Sequence, residues 1–186
     1  MEYTKVWLNY RPIKDMQGKK YAVCTKESGP IIDSIYYELD TALCAMAGEK
    51  PAREISDGAV KIRLFTDMTM GKESYRIEKS DFTIDIASGG HEGLLYGTFE
   101  LLRLAQTGKL EGNVRLEKKP SNPLRMANHW DNMEGTIERG YSGMSFFFEN
   151  NEVVVNQRTR DYARMMASVG INASVINNVN VRTTAP

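Results

Sequence analysis

Apolar and polar positions fall into blocks along the first two-thirds of this chain, and each block predicts an element. Val6-Trp7-Leu8-Asn9-Tyr10, rich in aromatic and branched residues, predicts a first strand, and Tyr21-Ala22-Val23-Cys24 a short second one. Ser28-Gly29-Pro30 marks a helix start. Ile31, Ile32, Ile35, Tyr36, Leu39, Leu43 and Met46 then recur at spacings of three and four, one apolar stripe ending near Gly48. Val60-Lys61-Ile62-Arg63-Leu64-Phe65 alternates apolar and basic residues, the period of a strand with one wet face. Glu73 to Ile77 and Phe82 to Ile86 repeat the alternation around Glu78-Lys79-Ser80-Asp81 and predict an antiparallel hairpin. The run from Leu94 to Leu104 is apolar around most of its circumference, which predicts a helix buried between layers and ending at Gly108. Gly93 and Gly97, four apart, would let a neighbouring backbone approach closely. Together these elements predict an α+β domain, a mixed sheet with two packed helices, over residues 1–119.

Lys118-Lys119-Pro120-Ser121-Asn122-Pro123 breaks the pattern, since two prolines three apart favour extended backbone. Beyond it, Leu124-Arg125-Met126-Ala127 predicts a strand that opens into a long polar loop. Residues 146–155 show no clear period, and Asn150-Asn151 is a turn candidate. Asn156 and Thr159 are both candidate caps for a helix whose apolar face is Tyr162, Met165, Met166 and Val169, with Gly170 as its stop. Ile171 to Asn180 is strand-like. Strand, loop, helix and strand make a βαβ unit with parallel pairing. Two parallel strands and one helix cannot cover both faces of a parallel sheet. Either this unit docks on the first domain or residues 120–186 are the first part of a larger parallel architecture, and the second is the expectation.

Composition narrows this little. Lys+Arg and Asp+Glu both number 24, so a chain of 186 residues carries no net charge and offers no electrostatic case for nucleic acid or an anionic membrane. Hydrophobic residues at 41% and charged residues at 26% are globular composition. Cys24 and Cys44 form no C-x-x-C pair or Cys/His cluster, which argues against structural zinc, and Cys44, in an apolar helical run, is expected in the core. No cofactor is expected. Residues 1–20 lack an apolar signal core, so the chain as written is expected in the cytoplasm, or in the periplasm or outside the cell if a signal was removed.

One run concentrates chemistry: Asn128-His129-Trp130-Asp131-Asn132-Met133-Glu134-Gly135-Thr136-Ile137-Glu138-Arg139-Gly140-Tyr141. It holds a histidine, two aromatics, three carboxylates, two asparagines and an arginine, and its place after a strand makes it a functional loop. From the residues alone, Trp130 is a core anchor or a stacking surface, Glu138 with Arg139 a solvated ion pair or a ligand contact, and His129 a hydrogen-bonded structural histidine.

The run resembles the signature of the α-glucuronidases of glycoside hydrolase family 67. Gly93-Leu94-Leu95-Tyr96-Gly97-Thr98-Phe99 resembles the family's helix before the linker. Asp161-Tyr162-Ala163-Arg164, Gly170-Ile171-Asn172 and Asn177-Asn178-Val179-Asn180 resemble a helix and second strand of its barrel. Met133, Glu134, Ser142 and Ala127 depart mildly from the family pattern. The resemblance implies an α+β domain followed by the beginning of a truncated (β/α)8 TIM barrel. It further implies a hydrolase that removes (4-O-methyl-)glucuronic acid from xylooligosaccharides with inversion. The acid and base carboxylates would lie on later strands, so no catalytic residue is carried over and the chain alone would be inactive. The loop would be substrate-binding: Trp130 beside the sugar, Glu138 accepting from its hydroxyls, and Asp131, Asn178 and Asn180 on the pocket wall. Glucuronic acid-bearing xylooligosaccharides and the remainder of the polypeptide would be the partners. The alternative is a stand-alone carbohydrate-binding or interaction module. A bare apolar patch around Met165, Met166, Val175 and Ile176 would mark a missing layer; its absence would favour the module.

Overall fold

The computed structural model describes residues 7–177. They fall into two compact units, residues 9–121 and residues 122–177, the latter grouped with Trp7 and Leu8.

The first unit is a five-stranded mixed sheet carrying two helices. Its elements are β1 (Tyr21–Thr25), α1 (Pro30–Ala47), β2 (Val60–Thr66), β3 (Tyr75–Ser80), β4 (Thr83–Ser88), α2 (His91–Gln106) and β5 (Val114–Lys118). The strand order is β1-β2-β4-β3-β5, with β1, β2 and β4 parallel and β3 antiparallel to both its neighbours. One sheet face is apolar: Val23, Ile62, Leu64, Ile77, Ile84 and Ile86 are buried against Ile32, Ile35, Leu39 and Met46 of α1 and Leu94, Leu101 and Leu102 of α2. The period-2 pattern sends the alternate residues to the other face, where charges pair across the register. Arg63 stands opposite Asp85 and binds both its carboxylate oxygens, Asp85 faces Glu78, and Arg115 Nε lies 3.3 Å from Glu78.

Helix α2 packs closely on this sheet because two of its positions have no side chain. A Cβ on Gly93 would stand 2.0 Å from Ser88 Oγ and 2.7 Å from the Ser74 carbonyl oxygen, and one on Gly97 would stand 2.7 Å from Ile86 Cγ2. Glu100 then ties α2 to β5, accepting from Arg103 at 2.6 and 2.8 Å and from Lys118 at 2.8 Å.

Four expectations are corrected here. Trp7 to Tyr10 form no strand, while Val6 lies outside the described residues. A strand was overlooked at Val114–Lys118, although Val114 and Leu116 alternate there with Arg115 and Glu117. Cys44 is exposed, because the stripe of α1 places Leu43 and Met46, not residue 44, toward the sheet. His91, whose place after Gly89-Gly90 predicts a loop, instead begins α2, and its Nε2 is 3.1 Å from Glu27 Oε2.

The second unit contains β6 (Met126–Asn128), β7 (Phe148–Glu149), β8 (Glu152–Val153), α3 (Gln157–Ser168) and β9 (Ala173–Val175). Strands β6 and β9 are parallel, Met126 opposite Ala173 and Asn128 opposite Val175, with α3 between them in the chain. Asn156 caps α3, its side chain accepting from the N–H groups of Arg158 and Thr159 while the Thr159 hydroxyl accepts from its own N–H, a reciprocal capping box. Asn150 and Asn151 both adopt positive φ and turn β7 into β8. Val169, expected on the apolar face of α3, is instead 66% exposed, since it lies past the last helical residue.

Arg125 and Asn172 fasten the N-terminal end of the strand pair. Arg125 Nε donates to the Gly170 carbonyl at 2.5 Å and Nη1 to the Asn122 carbonyl at 2.7 Å. Asn172 accepts from the Arg125 N–H at 2.9 Å and donates to the Pro123 carbonyl at 2.7 Å.

Candidate functional site

The carbonyl-terminal ends of β6 and β9 open into the loop 129–145 and into Ile176-Asn177. His129 N–H donates to the Val175 carbonyl at 2.7 Å, so the loop leaves the strand pair in register. The loop then folds on its own backbone: Asn132 N to Thr136 O at 2.8 Å, Glu138 N to Trp130 O at 2.7 Å, Ile137 N to Gly143 O at 3.0 Å and Ser145 N to Gly135 O at 2.8 Å.

Two buried side chains hold it from inside. Asn132 is 1% exposed; its Nδ2 donates to Thr136 Oγ1 and to the Glu138 carbonyl, both at 2.7 Å. Asp131 is also buried, and its carboxylate accepts from the Ser145 hydroxyl, whose oxygen in turn accepts from the N–H groups of Phe147 and Phe148 at 2.9 and 3.0 Å. Asn177 Nδ2 donates to the Asp131 carbonyl at 2.9 Å, which ties the segment after β9 to the loop after β6. Asp131 therefore sits inside the loop, buried with its carboxylate on Ser145.

Trp130 is exposed, whereas Glu138 is half-buried. The Trp130 side chain is 45% exposed, far above the burial of a core anchor. Glu138 holds φ at 57°, left-handed backbone that costs a non-glycine residue about 1 kcal/mol. The bonds from its N–H to Trp130 and to its carbonyl from Asn132 keep it there. Its carboxylate accepts from the Tyr141 hydroxyl at 2.6 Å and the Ser142 hydroxyl at 3.1 Å, and that bond holds the Tyr141 phenol above its ordinary pKa.

Behind the loop, His129 Nε2 meets the Tyr162 hydroxyl of α3, itself 3.4 Å from Ser174 Oγ of β9. Phe146 and Phe147 stack edge-on against both rings, and the Arg158 guanidinium lies 4.6 Å above Phe146. Asp161, buried on α3, accepts from Arg164 at 2.9 Å and Gln157 at 3.0 Å. The expected site residues Asn178 and Asn180 lie outside the described residues. Among the described residues, no group of three or more His, Cys, Asp or Glu side chains could hold a metal ion, and no helix is long and apolar enough to cross a membrane.

Sequence reasoning missed Ser145, Asn177 and the polar end of Tyr162. Tyr162 was read only as an apolar-face residue, because helical spacing reports which side a residue faces and not what its hydroxyl meets.

In its fold the chain is similar to carbohydrate-active enzymes. The β-N-acetylhexosaminidase of Bacteroides fragilis superposes with a TM-score of 0.54 at 17% identity, covering 86% of this chain and 29% of that one. A family 115 4-O-methyl-α-glucuronidase with specificity for decorated arabinogalactans gives the same TM-score at 17% identity, over 86% of this chain and 25% of that one. The sequence narrows the class: residues 104–185 match the model of the glycosyl hydrolase family 67 middle domain. Probable α-glucuronidase A of Aspergillus terreus is 30% identical over 96% of this chain and 24% of its own length. Its counterpart in Aspergillus oryzae is 38% identical over 62% of this chain and 14% of its own length. The chain thus resembles the family 67 α-glucuronidases, which are glycosidases, and spans a quarter or less of these relatives.

Proposed function

We propose that this chain is the N-terminal part of an α-glucuronidase that removes (4-O-methyl-)glucuronic acid from xylooligosaccharides with inversion. Residues 1–119 serve as the accessory α+β domain and residues 120–186 begin a catalytic (β/α)8 barrel. The observation that carries this reading is the loop 129–145. It stands at the carbonyl-terminal ends of two parallel strands, where such barrels bind substrate, and it exposes the Trp130 indole on the same loop that carries the Glu138 carboxylate. An indole face stacks on the apolar face of a pyranose, and an ionised carboxylate accepts from its hydroxyls. In this reading Trp130 and Glu138 hold the sugar, Asp131 holds the loop, and Asn178 and Asn180 complete the wall. The chain binds but does not cleave, because the acid and base carboxylates stand on later strands.

A second reading, a self-sufficient carbohydrate-binding or interaction module, is favoured by one observation. The patch expected to be bare is not: Met166 is buried, and Met165, Val175 and Ile176 are half-buried. Leu124 and Met126, at 59% and 46% exposure, argue the other way.

Aldouronic acid turnover and binding by the 186-residue chain separate these readings from an autonomous enzyme. Binding without release of glucuronic acid supports both, and release at enzyme-like rates overturns both. Sequencing the gene past Pro186 separates them: a long continuing frame supports the enzyme, a stop codon the module. In the longer enzyme, Glu138→Ala should lower kcat/KM about 10–100-fold, equivalent to about 1.5–3 kcal/mol from a charged hydrogen bond. Unchanged kinetics would make Glu138 purely structural.

A further inference from the structure

The first unit holds a cavity of about 430 Å³ that has no part in the sugar wall. It opens at the edge where β1 and β2 begin and β3 ends, beneath the last turns of α1 and α2, and every residue lining it lies between Ile13 and Gly112. Leu39, Leu43 and Met46 of α1 and Leu101 and Ala105 of α2 form its floor, all of them buried. Met16 and Leu110 stand at the half-open side. The space opens to solvent at its mouth, where Asp15, Lys19, Asp81 and Glu111 are exposed. The volume falls within the range of small-molecule sites.

The lining limits what could fill it. Charge is confined to the mouth, where Asp15, Asp81 and Glu111 face Lys19 and Lys79, and the Lys79 ammonium donates to the Gly112 carbonyl at 2.6 Å. Three acids against two lysines, one of them already hydrogen-bonded, disfavour an anion. Two thioethers, Met16 and Met46, and the Tyr21 ring suit an aromatic guest. Tyr21 is 7% exposed and its ring lines the space, so its hydroxyl could meet a polar group on the guest.

We propose that this cavity is a binding site for a small uncharged aromatic molecule of two fused rings bearing a hydroxyl group. The probe is 2-naphthol, with 2-naphthalenesulfonate as its anionic counterpart, titrated by calorimetry into the 186-residue chain. The expected result is saturable one-to-one binding of 2-naphthol. The sulfonate should bind at least about tenfold more weakly, since its charge would have to leave water for an apolar interior behind a net acidic mouth. Ala105→Phe places a ring in the floor and should weaken 2-naphthol at least tenfold while the circular dichroism spectrum stays native. Leu110→Trp narrows the mouth and gives the same reading if Ala105→Phe does not fold. The proposal is overturned by absence of saturable binding, by sulfonate binding as tight as naphthol, or by undiminished naphthol binding in a folded filling variant.

Discussion

Replacing Gly93 with alanine tests the packing of the first unit at its tightest point. The added methyl would stand 2.0 Å from Ser88 Oγ and 2.7 Å from the Ser74 carbonyl oxygen, against an ordinary contact of 3.4–4 Å. Ser88 is fully buried, so its hydroxyl cannot swing into solvent. Moving it gives up the bond it donates to the Lys72 carbonyl at 3.3 Å and the one it accepts from Gly90 N–H at 3.2 Å. Both are long, and stranding the group costs about 1–2 kcal/mol. The carbonyl is backbone, and relieving that contact requires α2 to lift from β4, an overpacking cost of about 1–3 kcal/mol. Alanine returns about 0.5–1 kcal/mol through helix propensity. The net loss is about 2–3 kcal/mol, which lowers Tm by about 10 °C for a unit of this size. Gly97→Ala makes the sharper comparison. Its methyl meets a side-chain methyl of Ile86 at 2.7 Å and Tyr75 Cβ at 3.3 Å, atoms that can yield, so its net loss should be about 1 kcal/mol. Thermal melts of both variants by far-UV circular dichroism decide the matter. A Gly93→Ala protein melting within about 2 °C of the parent, or above Gly97→Ala, would refute the close-packing account.

Three further outcomes are expected. Asn156→Ala removes the side-chain acceptor of two α3 N–H groups and should destabilise the second unit by about 1 kcal/mol in urea unfolding, with Asn156→Asp largely restoring it. Tyr162→Phe strips His129 Nε2 of its partner and should cost about 1–2 kcal/mol; an unchanged urea midpoint would remove Tyr162 from the loop's support. Hydrogen bonds from Arg103 first and then Lys118 outweigh burial and hold the Glu100 carboxyl below its ordinary pKa. Its stabilising contribution is therefore full at neutral pH and is lost as pH falls from the ordinary carboxylate range through that lowered value. Glu100→Gln should flatten that acid limb of the stability profile, and a parallel profile would show that the ion pair does not report there.

How legible the molecule was depended on the kind of pattern each part carries. The stripe on α1, the alternation in β2 and the β3–β4 hairpin are periodic over many residues, so the burying face was readable directly. The two caps of α3 were readable because capping is local. Trp7 to Tyr10 had strand composition but no strand, since a strand also needs a partner in register, which composition does not report. In the candidate site, the run from Asn128 to Tyr141 was visible as a concentration of functional groups, but their division of labour was not. Asp131 and Glu138 look alike in the sequence. Contacts from Ser145 and Asn177 draw Asp131 inward, while a left-handed backbone conformation held by Asn132 leaves Glu138 half-buried with its carboxylate on Tyr141 and Ser142.

The sequence by itself thus determined the helices, the β2 to β4 strands, the faces they bury and the loop that concentrates chemistry, because these follow from side-chain period and local hydrogen bonding. The tertiary structure alone decided that Asp131 is buried on Ser145 while Glu138 is half-buried. It also decided that Tyr162 supports His129, and that α1, α2 and the sheet leave a cavity between them. Each of these depends on side-chain contacts between residues six to forty-six positions apart or more, and no side-chain period encodes such contacts.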